Sequence, residues 1–496
     1  MNTQKLYKQL EEFFYDLDND SRLNWIGQKD QPDSAAIMAK YADLYQEPEL
    51  NQIRNTYQKE TDFLKKRELK LVYFTLLGLN MYQKLAKLSD EISAYFSTAE
   101  AEIDGKKVPF YNLRLLTMNE KDYDKRELIC AKSREIISKI NPKLKTSLIQ
   151  DLALIKKAGF KNYIDLYQKE KEIDYSHFIM VTKDIYRNLK DVYLAKISKL
   201  VQEKLNKPFK DINSCQAIFL LNREENNKYF TKEKLMPAFN KTIEDMGLND
   251  EELKKRIHID IEDRPKKNPR AVCFPMRVPF DIHLIIKPTG THDDYEAFMH
   301  EAGHSLHFSH INEKLPFPFR ELSLSHALTE LFSYTFEGLA RNHLWLEKYA
   351  GLSKEAALKV ENDAKFNDLY MLVRYLGKFD YEYNFFREGA DLEKGGELYS
   401  RTLTSYTGFH YHPVAYLNDM DGGFYSADYL RAWIGHAQLE KFLENKFGEN
   451  WFKNSKSGEW LKKLWLEGSK LELEEILEES GIAKPFDIKP LINKFK

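Results

Sequence analysis

Several things are scarce in this chain of 496 residues, and each scarcity narrows its class. Glycine occurs only 21 times, which suits a helical protein with few tight hairpins. The three cysteines, Cys130, Cys215 and Cys273, stand far apart with no CxxC spacing. That argues against a disulfide-stapled scaffold and favours a reducing compartment. Charge of either sign is not in excess: the formal net charge is −2, against the basic surplus of a general nucleic-acid binder. The longest greasy run, "LVYFTLLGLNMY" at 71–82, contains Asn80 and falls short of the roughly 20 apolar residues a membrane span needs. The first residues, "MNTQKLYKQLEEFFYDLDND", lack an apolar core followed by a small-residue cleavage site, so no secretory signal is expected. The expectation is a cytoplasmic protein without nucleic-acid or membrane partners.

What is present is helical periodicity. Leu6, Leu10, Phe13, Phe14 and Leu17 recur at spacings of three and four, one face of a helix. "KLSDEISAYFSTAEAEI" and "RELICAKSREIISKI" behave alike. "NPKLKTSLIQDLALIKKAGF" reads as a helix begun by Asn141-Pro142 and stopped at Gly159. The stretch 171–206 ends in a long amphipathic helix. Up to about residue 205 the expectation is a helical array. Around 257–290 the character changes: "RIHIDIED" alternates as a strand does, and "RAVCFPMRVPFDIHLIIKPTG" predicts one or two short strands and a loop. Helices then resume, interrupted by a Tyr-, Gly- and Pro-rich stretch at 402–424. The C-terminal "KLELEEILEESGIAKPFDIKPLINKFK" reads as a solvated helix and tail. No repeat or flexible linker is visible.

The most informative stretch is "AFMHEAGHSLHFSH" at 297–310, which holds four of the 13 histidines. His300, Glu301 and His304 form HExxH. On a helix the two histidines lie about 40° apart around the axis and one turn along it, so both imidazoles reach one ion. Glu301 projects about 100° from His300, near the metal yet free to hold a proton from a metal-bound water. Zinc then needs a third protein ligand and an open position. His310 stands where HExxHxxGxxH enzymes place theirs, but those need Gly at the turn. Here position 307 is His307, and "HSLHFSH" reads as continuing helix, putting His310 about 15 Å along the axis from His300. The better candidate lies on a following helix expected over "LSLSHALTELFSYTFEGLARNHLWLEKY" (322–349). It carries His326, Glu330 and Glu337. Glu330 is the expected third ligand, with Glu337 supporting a ligand imidazole from behind.

"DDYEAFMHEAGHSLHF" resembles the zinc-site helix of the thimet-oligopeptidase and oligoendopeptidase family. "TELFSYTFE" is similar to that family's next helix, whose Glu-x-x-Ser-x-x-x-Glu pattern supplies the third ligand through its first Glu, here Glu330. "LIQDLALIKKAGFKNYIDLYQ" (148–168) is similar to an upstream segment ending in Gly-Phe-x-Asn-Tyr. The resemblance covers 291–340, with weaker stretches at 148–168 and 410–440. It implies a mainly α, two-lobed metallopeptidase with a small β-sheet beside a deep active-site channel, related in fold to angiotensin-converting enzyme. It also implies one Zn2+ per chain and short peptide substrates. On this reading 1–205 is an N-terminal helical lobe and 206–496 the catalytic zinc-binding region.

The family stabilises its oxyanion with Tyr and His side chains near a Gly-rich loop. Gly422-Gly423, Tyr425 and Tyr429 resemble that stretch, with the two tyrosines one helical turn apart. A third family tyrosine falls on Ala432, and its His before the Gly pair on Asp419 or Met420. His410 or His412 would substitute by a different path. The strand-like "AVCFPMRVPF" is expected at the channel edge, where it would hold an extended peptide by strand addition. Arg431 reads as a salt-bridged helix residue or a clamp for a peptide carboxylate. Two rival readings share the metal site: a catalytically impaired helical peptide-binding protein, supported by the departures at Ala432 and Asp419, and a zinc hydrolase of non-peptide amides.

Overall fold

Helices carry most of the chain in the computed structural model, which describes residues 3–496. Five short strands accompany them: β1 (Glu100–Ile103), β2 (Lys106–Pro109), β3 (Ile257–Asp260), β4 (Val272–Arg277) and β5 (Asp281–Ile285). β1 and β2 form an antiparallel pair, and the other three form a sheet in the order β3–β5–β4. β5 is central, parallel to β3 and antiparallel to β4. The mainly α class with a small sheet therefore holds. Among the described residues no helix is long and apolar enough to cross a membrane.

The chain divides into two compact units, each assembled from separated segments. One comprises the residues up to Asn80, Glu224–Lys365 and Arg431–Leu491; the other comprises Met81–Arg223, Phe366–Leu430 and the residues from Ile492. The linear cut expected at 205/206 is not where the units divide. The divisions fall instead near 80, 223, 365, 430 and 491, four of them inside the continuous helices Phe63–Thr98, Lys354–Arg387, Tyr425–Phe447 and Lys489–Phe495. An unbroken helix carries no composition signal of a boundary, which is why the sequence does not announce it.

The first unit holds the three-stranded sheet and a core in which Phe298, Leu331, Phe336, Trp345, Leu443 and Trp465 are buried together. β5 alternates over its first four residues: Ile282 and Leu284 are fully buried, while Asp281 and His283 remain partly exposed on the other face, which Ile285 closes with a buried side chain. The second unit gathers aromatic rings, with Tyr163 stacked on Phe386 and edge-on to Phe424 at 5.3 Å. In the same unit Lys171 is buried and paired with Asp428 at 2.6 Å, and the Cys215 thiol donates to Glu127 Oε1 at 3.5 Å.

Four local expectations are corrected. The helix expected to begin at Asn141-Pro142 is the second half of a continuous helix, Tyr123–Lys157, with Pro142 inside it; its stop at Gly159 (φ 94°) stands as read. The helical array is broken by the β1–β2 hairpin, whose Asp104 and Gly105 both adopt positive φ, the pairing a two-residue hairpin turn demands. The helix expected over 322–349 spans only Ala327–Glu337. It then tightens into a single turn, and Asn342 caps a new start by accepting from the Leu344 and Trp345 amides. The C-terminal stretch is not a solvated tail: Leu473, Ile476, Leu477 and Leu491 are all buried.

Candidate metal centre

The HExxH segment lies on the helix His292–Ser309, whose start is built by the Pro-Thr-Gly-Thr loop before it. Thr291 accepts from the Asp294 amide, and the Asp294 carboxylate accepts from the amides of Thr289, Gly290 and Thr291. This reciprocal cap satisfies donors that would otherwise be orphaned and puts negative charge at the positive helix end. The helix continues through His307, as expected, and ends at Ser309 with His310 as its cap. His310 Nδ1 hydrogen-bonds Leu306 O at 2.7 Å. His307 is buried beside Phe332, and burial pushes its imidazole down to about 3. Neither joins the group of donors formed by His300, His304 and Glu330.

That group converges from two helices. One nitrogen each from His300 and His304 and one oxygen of Glu330 lie within 4.8 Å of one another. Glu330 Oε2 is 3.4 Å from His300 Nε2 and 3.9 Å from His304 Nε2. Zinc bonds of about 2.0–2.1 Å at tetrahedral angles require donor separations of about 3.4 Å, so small side-chain adjustments suffice. Two imidazoles and a carboxylate form the donor set of an open zinc site, and the chemistry fits.

Two of the three donors, His300 and Glu330, are held from behind. His300 Nδ1 lies 2.8 Å from Glu337 Oε2, which leaves Nε2 for the ion. Arg341 bonds Glu337, and its Nε donates to Glu296 Oε1 at 2.9 Å. Ser333 donates to Glu330 Oε2 at 3.0 Å. Burial alone would lower His300, but the hydrogen bond and charge of Glu337, with Glu330 and Glu301 beyond it, lift it to about 9. Burial also keeps His304 well below its ordinary value, with the charges of His300, His307 and His326 acting the same way. Burial raises Glu301, the partly exposed carboxyl between the two histidines. A bound cation would favour the neutral, ligating form of both imidazoles.

What brings the two helices close enough is Gly303. A Cβ there would stand 2.5 Å from Phe332 O and 2.7 Å from Ser333 Cα, so only a bare backbone lets Glu330 approach. The sequence reading passed over this glycine, although it lies inside the HExGH motif. It also passed over Ser333, Glu296 and Arg341 as supports. Their signal was helical spacing: Glu296 precedes His300 by one turn, and Arg341 follows Glu337 by one. Tyr334, one turn after Glu330, faces His300 at 5.8 Å between ring centres and stacks on Trp433.

The other expected site residues belong to the second unit. Gly423 adopts φ 64°, its amide donates to the Tyr163 hydroxyl at 2.6 Å, and the helix that follows starts at Tyr425. Tyr425 and Tyr429 are partly exposed neighbours with ring centres 4.6 Å apart. His412 is exposed and its Nδ1 accepts from the Val414 amide, capping its own turn. Asp419, where the resemblance has a His, accepts from the Tyr399 hydroxyl and pairs with Arg374. Arg431, in the first unit, is buried in a two-pronged bond to Glu474, the salt-bridged alternative. Against known proteins, no family model matches this chain and no curated protein matches it.

Proposed function

We propose that this protein hydrolyses peptide bonds in short peptides, with zinc held by His300, His304 and Glu330. The observation that carries the reading is the convergence of those three donors within 4.8 Å beside the carboxylate of Glu301. Bound zinc would supply Lewis acidity, polarising a peptide carbonyl and acidifying water. Glu301 takes the proton from the attacking water and delivers it to the nitrogen of the leaving amine. Burial, which already raises this carboxyl, suits it to hold a proton between the two transfers. Glu337 fixes the His300 ring and tautomer, and Ser333 fixes the Glu330 carboxylate.

β4 supports a peptide substrate. It pairs with β5 alone, and Pro275 within it lacks a donor, as edge strands allow. Cys273 of this strand lies against the site helix, its sulfur 3.3 Å from Ser305 Oγ, and its backbone opposes the rise of the Glu301 carboxyl. An extended backbone added along that edge would run past Glu301. The resemblance assigns oxyanion stabilisation to Tyr425 and Tyr429, with His412 as the substitute for the family's His, and a cytoplasmic location belongs to the same proposal.

Metal analysis with a quenched-peptide library, run on wild type and Glu301→Gln, tests the reading. Zinc retained by both and cleavage lost by about a hundredfold or more in the variant is the expected result. Zinc-loaded wild type that cleaves no peptide would overturn it.

A further inference from the structure

A second group of metal-binding side chains lies on the same sheet, away from the centre described above. β3 and β5 run parallel and in register, with His258 directly beside His283. Partners in register point to the same face, and Asp281, two residues before His283, shares it. Cys273 and Leu284, a cross-strand pair, occupy the other face, where Cys273 meets Ser305 of the site helix. Asp281 Oδ1 lies 2.9 Å from His283 Nε2 and 3.3 Å from His258 Nε2. The two imidazole rings are 4.8 Å apart.

We propose that His258, His283 and Asp281 form a second divalent transition-metal site, on the sheet face opposite to His300, His304 and Glu330. Two imidazole nitrogens aimed at one carboxylate oxygen place the three donors within 4.8 Å of one another. These separations match the about 3.4 Å edge of a tetrahedral zinc site. The donor set selects a zinc-like ion: magnesium and calcium demand oxygen ligands, and only one is here. Side chains of His258, Asp281 and His283 are 50%, 30% and 21% exposed, so the ion can load from solvent and keep a position for water or an anion. The scaffold is rigid because β5 is hydrogen-bonded on both sides. An ion here would tie β3 to β5 through side chains, adding a link beside their backbone bonds.

The fold supplies a reporter. Phe274 lies across from His283 on β4, and the Trp25 ring packs on it at 6.2 Å. Full-length protein stripped with a chelator is titrated with Co2+, with bound metal counted after gel filtration and tryptophan emission followed. His258→Gln and Asp281→Asn should each bind one equivalent fewer than wild type, keep their peptide hydrolysis, and lose a quenching phase that Trp25→Phe also removes. The His300→Ala/His304→Ala protein should retain this equivalent, so the result stands apart from the fate of the peptidase reading. Equal stoichiometry and equal quenching in wild type, His258→Gln and Asp281→Asn would overturn the site and leave an ordinary His–Asp ion pair.

Discussion

Gly303→Ala puts one methyl group where two helices meet. The added carbon would sit 2.5 Å from Phe332 O and 2.7 Å from Ser333 Cα, and both are backbone atoms that cannot rotate away. Moving from 2.5 Å to the 3.4 Å at which ordinary contact begins requires the helices to part by about 0.9 Å. Overpacking of this kind costs about 1–3 kcal/mol. Glu330 is carried on the same helix as Ser333, so its oxygen retreats from His300 and His304. Zinc must pull it back, and the strain reappears as weaker binding, by about five- to 150-fold at 1.4 kcal/mol per decade. Thermal melts of the chelator-treated protein isolate the packing cost; competition with a chromophoric chelator reads the affinity. Gly78→Ala is the control, since a Cβ there meets nothing within 4 Å and the site is exposed helix. It should stabilise by up to about 1 kcal/mol. A Gly303→Ala protein with wild-type melting and wild-type zinc affinity would refute the claim that backbone contact sets the helix spacing.

Two further outcomes are expected. Glu337→Gln removes the negative charge behind His300 Nδ1 while keeping a hydrogen-bonding group; zinc affinity should fall about 10–100-fold, read by the same competition, and the metal-free protein should also melt lower, because the buried charges of Arg341 and His300 lose their partner. Glu321, 6% exposed and 3.6 Å from Arg320, is pushed up by burial to about 8 from 4.5. Between those values the unfolded chain has released a proton that the folded chain retains. Its contribution is therefore fully present below about 4.5 and lost as pH rises through about 8. Glu321→Gln should flatten that loss, so calorimetry should show the variant gaining on wild type from pH 5 to pH 8. A pH-independent difference would count against it.

The metal donors were legible because their chemistry is local. His300, Glu301 and His304 sit within one helical turn, and Glu330 and Glu337 fall on one face of the next helix. β3 to β5 were legible from alternation and proline punctuation. Less visible was anything set by contact across the fold. Gly303 looks like any helix glycine until Phe332 is seen against it, and His258 with His283 looks like two isolated strand histidines until the parallel register is known. The unit boundaries hide inside unbroken helices. Pro142 misled because proline ordinarily marks a helix start, and the β1–β2 hairpin was missed although Asp104-Gly105 is a strong turn pair.

The first unit is sewn from three lengths of chain that are far apart in synthesis. His300, His304 and Glu330 all come from the middle length, yet the ring of Trp465, which lies against both Phe332 and Phe336 behind Glu330, comes from the last. A ribosome that has released residue 365 has delivered every metal donor and none of that backing. On the zinc reading, the nascent protein therefore holds its expected ligands on a helix with an uncovered greasy back until Trp465 has been made, and firm metal binding would wait for that residue.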